Sequence, residues 1–208
     1  MKKKLKKYFN YCLFLDSSNS FLSVGISKKG ILIDKISYYC FHQQSKFLIV
    51  EINNILIKNK ISINCLDALV ITNGPGSYVG IRMSVIIAKI FALILKIPVY
   101  QISTLEANKI LNQDSIVLFN ARSNRSYIAS FKKNNYLLKD KIMDNDKIKK
   151  YIAKHPNFRL VGELEYLGLV GEKVDVLENM NVIFKNKKFV KNPNLIKPKY
   201  LKNKWQLF

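Results

Sequence analysis

The sequence predicts an α/β protein made of two similar halves, each with a mixed sheet flanked by helices. Short apolar runs and period-2 segments indicate strands, and segments with apolar residues three and four apart indicate amphipathic helices. These signals follow the same order twice, strand, turn, strand, strand, helix, strand, at about residues 11–72 and 115–162. We therefore expect a duplicated architecture, with one domain over residues 1–102 and a second one over residues 103–208.

The spacing of apolar residues changes along the first half, and these changes predict its strands and helices. Residues 11–15 form an apolar run, residues 21–27 alternate, and residues 31–40 are rich in Ile and Tyr, which predicts an antiparallel meander. The remaining predictions are a helix over 45–58, a strand over 67–72, a Gly-rich loop over 73–80, a helix over about 80–95, a strand over 99–102, and a helix over 105–111 that Ser103 or Thr104 caps.

The second half repeats the pattern less regularly. It predicts strands over 115–120, 127–131, 136–143 and 158–161, a helix over 146–153, and, beyond Gly171, a strand over 181–184.

Composition excludes several classes of protein. The chain has 208 residues, of which 49% are apolar, so it is not wholly disordered. Its formal charge is +21, but only four basic residues are Arg, and the excess of Lys is typical of AT-rich coding sequence. The charge therefore predicts tRNA only as a weak or indirect partner. Three scattered cysteines (Cys12, Cys40, Cys65) argue against a disulfide framework or a Cys-rich zinc site.

Neither long apolar stretch indicates a membrane protein. Residues 81–100 contain Arg82, Lys89 and Lys96, which disfavours a transmembrane helix. The basic start, residues 2–7, resembles part of a signal peptide, but the apolar run behind it is short and no small-residue cleavage site follows. We expect a cytoplasmic protein with no membrane partner.

The Gly-rich loop is the strongest local signal. A strand that leads through such a loop into a helix points backbone amides at one spot, which makes Gly74, Pro75, Gly76, Ser77 and Gly80 a candidate anion site. The loop has neither the Walker nor the nucleophile-elbow spacing. The alternative is that the glycines only permit a tight strand-to-helix turn.

The helix after the loop is apolar on nearly all sides, so something must cover it. Ser84, Ala88 and Ala92 recur every four residues, and we name them the small-residue ridge. Such a ridge lets another helix approach closely. The predicted partner interface consists of Arg82, Ser84, Ile87, Ala88, Phe91, Ala92 and Leu95. The alternative is a helix enclosed within its own chain.

Asp16, Ser17 and Ser18 end the first strand and form a candidate nucleotide cleft, degenerate because Asn120 stands where a second carboxylate is expected. Asp16 could hold magnesium through water or form an Asx turn. We assign no catalytic and no metal-ligating residue, since His42 and His155 are far apart in sequence and no nucleophile constellation is evident.

The residues around the loop resemble the bacterial TsaB (YeaZ) family, a subunit of the machinery that makes threonylcarbamoyladenosine (t6A) in tRNA. The resemblance covers residues 67–70 (DALV), 74–82 (GPGSYVGIR), 98–99 (PV), 103–106 (STLE), 16–18 (DSS), Ala121-Arg122 with Tyr127, and 197–202 (KPKYLK). The chain departs from the family pattern at Gln44, at Ser84, Ile86 and Ile90 (usually Gly), and at Asn120 (usually Asp).

This resemblance implies the ASKHA (actin and sugar-kinase-like) fold with two duplicated domains. It also implies a non-catalytic subunit that pairs with the catalytic paralogue TsaD through helices of the first domain and is joined by the ATPase TsaE. No cofactor is expected on this chain, because ATP and metal belong to the partner subunits. A homodimer is an alternative assembly. The alternative functions are a kinase-like or glycoprotease-like enzyme of the same superfamily, and a basic tRNA-binding protein.

Overall fold

The first sheet has five strands, and the predicted meander forms one side of it. A computed structural model describes residues 9–40 and 42–201; the basic residues 2–7 and Lys202 lie outside that range. The strands are β1 Tyr11–Asp16, β2 Phe21–Lys28, β3 Ile31–Tyr39, β4 Ala68–Thr72 and β5 Val99–Ile102. Their order is β3-β2-β1-β4-β5, with β1 to β3 antiparallel and β4 and β5 parallel to β1.

The second sheet repeats this order with four strands. They are β6 Ser115–Arg122, β7 Arg125–Lys132, β8 Asn135–Asp144 and β9 Arg159–Gly162. Their order is β8-β7-β6-β9, and β9 runs parallel to β6 as β4 does to β1. The repeated strand order predicted from the sequence is thus present in both sheets.

Within the residues that the structure describes, five α-helices pack on the sheets. They are α1 Gln44–Lys58, α2 Tyr78–Ile94, α3 Thr104–Ala107, α4 Asn145–Ala153 and α5 Val176–Ile183. Alternation along β1 sends Leu13 and Leu15 into a core with α1 and α2, and Cys12 and Phe14 into a core with α5. In the second half, α4 packs on the opposite face of the sheet from Leu105 of α3. In the described part of the chain, none of the helices could span a membrane.

The predicted strand over 181–184 is wrong, because these residues end helix α5 and begin a short 3-10 helix over Phe184–Asn186. The carboxylate of Asp175 caps α5 by accepting hydrogen bonds from the amides of Leu177 and Glu178, both at 3.1 Å. Leu177 and Met180 face the first sheet, although the sequence assigned this segment to the second domain.

Helix α3 is shorter than predicted, since it ends at Ala107 rather than at 111. Ser103 precedes it, but the Ser103 hydroxyl donates to Asp140 instead of capping the helix. The chain after α5 returns to the first sheet, where the Val190 amide donates to the Val99 carbonyl at 2.8 Å.

Candidate functional site

The Gly-rich loop after β4 packs directly on the turn between β1 and β2. The Ser77 amide donates to the Ser18 carbonyl at 2.7 Å. A Cβ on Gly76 would lie 1.9 Å from the Ser18 carbonyl oxygen, and one on Gly80 would lie 1.8 Å from that of Ser17. Both positions therefore need glycine for close backbone approach. The Ser77 hydroxyl caps α2 by accepting from the Gly80 amide at 3.3 Å.

These contacts bring the candidate anion site and the candidate nucleotide cleft together. The polar groups of the loop are hydrogen-bonded to the residues of the cleft, so neither site is open to a ligand. The Ser77 amide, which an anion would use, is bound to Ser18. The Ser17 hydroxyl donates to the Gly80 carbonyl at 2.8 Å and lies 2.8 Å from the Ser84 hydroxyl. The arrangement corresponds to the alternative in which glycines permit close packing, not to an open phosphate cradle.

Asp16 is fully buried behind this turn. Its Oδ1 accepts hydrogen bonds from the Ser18 amide (3.0 Å), the Ser18 hydroxyl (2.5 Å) and the Thr72 hydroxyl (2.6 Å), and the first of these forms an Asx turn. Its Oδ2 is buried with no hydrogen-bond partner among the described residues. Burial raises the pKa of the carboxyl, while the bonds from Ser18 and Thr72 act in the opposite direction.

Among the described residues, the hydrogen-bond partners of the Asp16 carboxylate are Ser18 and Thr72, and no second acidic group is paired with it. Asn120 is exposed, and its Oδ1 accepts from the Arg122 amide at 2.7 Å, so it stabilises its own turn. Within residues 9–40 and 42–201, no group of three or more His, Cys, Asp or Glu could hold a metal ion.

The predicted interface on α2 needs correction, because the small-residue ridge faces inward. Ser84, Ile87 and Ala88 are buried against the first sheet and α1, so they are not available to a partner. Phe91 and Ala92 are half-buried at the edge of the same core. Small side chains here let α2 lie close to its own sheet, and the hydroxyl of Ser84 is used by Ser17. Leu95 is half-buried, and Arg82 is exposed.

The opposite side of α2 carries exposed aliphatic side chains, which we name the apolar face. Its members and their exposed fractions are Val79 57%, Ile86 49%, Ile90 46%, Leu93 61% and Ile94 72%. Spacings of three, four and seven residues place them on one side of the helix. The neighbouring helix α1 exposes Ile49, Val50 and Ile57. Because α2 is apolar on nearly all sides, the sequence did not show which side of the helix would face the sheet.

The C-terminal tail lies beside the start of the apolar face. The Tyr200 ring stacks on Tyr78 with 5.3 Å between centroids, and the Arg82 guanidinium lies 3.8 Å from the centroid of the Tyr78 ring. The Nε of Arg82 donates to the Tyr200 hydroxyl at 2.9 Å. The Lys199 amide donates to the Asn73 carbonyl at 2.7 Å, which fixes the tail on the Gly-rich loop. Only the resemblance at residues 197–202 marked this segment in the sequence.

Comparison with known proteins agrees with this architecture. The family model for TsaD, tRNA N6-adenosine threonylcarbamoyltransferase, matches residues 40–199. A curated TsaB from Buchnera aphidicola of Schizaphis graminum is 31% identical over 132 residues, which are 61% of this chain and 62% of that protein. The chain belongs to this TsaD-like family, in its TsaB/YeaZ branch. TsaB of Buchnera aphidicola from Acyrthosiphon pisum is 26% identical over 89% of this chain and 85% of its own.

Solved structures of this branch share the fold. A YeaZ-like protein from Pseudomonas aeruginosa superimposes with a TM-score of 0.78 at 16% identity, covering 93% of this chain and all of that one. YeaZ from the same organism gives 0.70 at 16% identity, covering 92% of this chain and all of that one. The predicted ASKHA-type fold is confirmed. The alignment with the Schizaphis graminum TsaB spans less than two thirds of that relative's length.

Proposed function

We propose that this protein is a non-catalytic subunit for t6A synthesis in tRNA, and that the apolar face of α2 binds a TsaD-like protein. Relatives named as t6A biosynthesis proteins support the pathway. The observation that carries the binding role is the apolar face itself, where five aliphatic side chains remain exposed on one helix. Exposed apolar surface on this scale is typical of surfaces that a partner covers.

The state of the cleft supports the non-catalytic part of the proposal. The loop amide of Ser77 and the hydroxyl of Ser17 are both engaged within the chain, and Asp16 has no access to solvent. A substrate phosphate would have to displace the contact between the loop and the β1–β2 turn. We therefore place ATP and metal chemistry on the partner subunits, TsaD and the ATPase TsaE.

Co-expression with TsaD from the same organism tests the assignment of the face. The double substitution Ile86→Asp with Ile90→Asp puts two charges on the apolar face without touching the buried side of α2. We expect it to abolish co-elution with TsaD. Val170→Asp is the matched control, because Val170 is 93% exposed and lies in the second half. It should leave co-elution unchanged, and both variants should keep the parental circular dichroism melt.

Continued co-elution of the double variant would disprove the assignment of the apolar face. Light scattering of the isolated protein tests the homodimer alternative on the same surface. A dimer that the double substitution dissociates would show that a second copy covers this face when TsaD is absent.

A further inference from the structure

A cavity of about 390 Å³ lies at one end of the second sheet, where β7 begins and β8 ends. Its lining residues are Arg125, Lys141, Ile142, Met143, Asp144, Lys147 and Leu201. They come from the start of β7, the end of β8, the first turn of α4 and the tail. Three of the seven are cations and one is a carboxylate, so the cavity carries an excess of positive charge.

The carboxylate does not neutralise this cluster. Asp144 lies opposite Arg125 in the β7–β8 register, but its Oδ2 is held by Lys147 at 3.0 Å. Salt bridges between described residues do not involve Arg125 or Lys141. Two of the three cations that line the cavity are therefore outside any salt bridge among the described residues, which favours an anionic ligand.

The four arginines of this chain differ in their surroundings, and this difference points to Arg125. Of its four arginines, Arg82 is bound to the Tyr78–Tyr200 pair and Arg159 is bound by Glu172 and Gln113. The other two, Arg122 and Arg125, are directly paired across the β6–β7 turn. Like charges opposite each other on neighbouring strands repel, so this pairing has a cost that a bound anion would remove.

The positive charges of Arg122 and Arg125 both act on the phenol of Tyr127. Burial raises the pKa of Tyr127, and the positive charges of Arg125 and Arg122 lower it. Arg125 on β7, Lys141 on β8 and Lys147 on α4 match the chemistry of phosphate, whose oxygens accept several charge-assisted hydrogen bonds at once.

We propose that this cavity binds phosphate groups through Arg125, Lys141 and Lys147. The sources of such a group are the backbone of an RNA and a small phosphorylated compound, and both present the same chemistry to these cations. The proposal is independent of the assignment of the apolar face, since the two sites share no residue.

The test distinguishes specific binding of phosphate in this cavity from general attraction of anions to a chain of charge +21. One variant combines Arg125→Gln, Lys141→Gln and Lys147→Gln. The matched control combines Lys132→Gln, Lys149→Gln and Lys188→Gln, which removes the same charge from exposed positions outside the cavity. Binding of a labelled single-stranded RNA 12-mer and of inorganic pyrophosphate is measured with the full chain in a phosphate-free buffer at several salt concentrations.

We expect the cavity variant to bind RNA at least tenfold more weakly than the parent, and the control less than threefold more weakly. The slope of log affinity against log salt should become less negative by about 2 in the cavity variant, as expected when three contacts to single-stranded phosphates are lost. Loss of pyrophosphate binding alone would also support the site and would identify a small phosphorylated compound as its ligand.

Equal losses in the two triple variants, or no binding of either probe above the control, would overturn the proposal. Circular dichroism melts check that both variants fold. If the cavity triple variant does not fold, Lys141→Gln against Lys149→Gln gives the same comparison with one charge each, and equal binding by these two variants would again overturn it.

Discussion

The hydroxyl groups of Ser17 and Ser84 lie 2.8 Å apart in a fully buried contact between the β1–β2 turn and helix α2. This contact fixes the orientation of the helix, because the side that carries Ser84 must face the first sheet. Ala88, one turn further on, is buried with it, and Val79, Ile86 and Ile90 are turned outward. The orientation of α2 thus determines which of its apolar residues remain available to a partner.

The first prediction compares the same substitution on the two sides of α2. Ala88→Arg forces a long cation into a filled core, so the free energy of unfolding should fall by more than about 3 kcal/mol. Ile90→Arg adds the same side chain on the apolar face and should cost less than about 1 kcal/mol. Urea denaturation of the two variants measures the difference. Equal stability of the two would mean that α2 is not oriented as described.

The second prediction concerns the contact between the loop and the β1–β2 turn. Replacing glycine by alanine inside a helix ordinarily stabilises a protein by about 0.5–1 kcal/mol. Gly80→Ala should instead destabilise by about 1–3 kcal/mol, because the added methyl would lie 1.8 Å from the Ser17 carbonyl oxygen. Gly25→Ala is the control, since its neighbours are the flexible ends of Leu177 and Leu32 at 3.2 and 3.3 Å. A stabilised Gly80→Ala variant would contradict close packing at this turn.

Most strands and the two long helices could be predicted from the sequence, because burial on one or both faces leaves a period in the residues themselves. Helix α5 was missed because Val182, Ile183 and Phe184 are residue types typical of strands. A signal for it was present, since Asp175 followed three residues later by Glu178 is a helix-start pattern.

The closed cleft could not be predicted, for a different reason. A Gly-rich loop after a strand has the same sequence whether its amides face a ligand or another part of the chain. The Ser77 amide is bound by Ser18, which lies 59 positions earlier in the chain, and nothing near residue 77 reports that contact. The side of α2 that faces the sheet was unpredictable for a similar reason, because aliphatic residues surround the helix.

The third prediction concerns pH and Asp16. Burial raises the pKa of its carboxyl above the ordinary value of 3.8, so the folded state binds the proton more tightly than the unfolded chain does. Its contribution to stability is complete below 3.8 and is lost as the pH rises to the folded pKa. Asp16→Asn removes this titration, so the variant should gain stability relative to the parent over that interval. Urea midpoints from pH 3.5 to 7 measure this difference, and a constant difference would disprove the raised pKa.

The fourth prediction concerns the attachment of the C-terminal tail to β8. Lys199 Nζ donates to Asp140 Oδ2 at 2.5 Å, and the Asp140 side chain is only 1% exposed. Lys199→Ala leaves that buried carboxylate without its cation and should cost about 1–3 kcal/mol, less than for a fully buried pair because the lysine is 39% exposed. Asp140→Asn removes the charge that needs compensation, so Lys199→Ala should cost much less in that background.

A double-mutant cycle on the free energy of unfolding measures the coupling between these two residues, which we expect to exceed about 0.5 kcal/mol. Strictly additive effects would mean that the tail is held by its backbone contact with Asn73, in which the Lys199 amide donates at 2.7 Å, and not by the charge pair. The dependence of the coupling on salt concentration distinguishes attachment by the charge pair from attachment by the backbone contact. An ion pair with one exposed partner weakens as the ionic strength rises, whereas the bond between backbone groups does not. The coupling should therefore shrink between 0.05 and about 1 M salt.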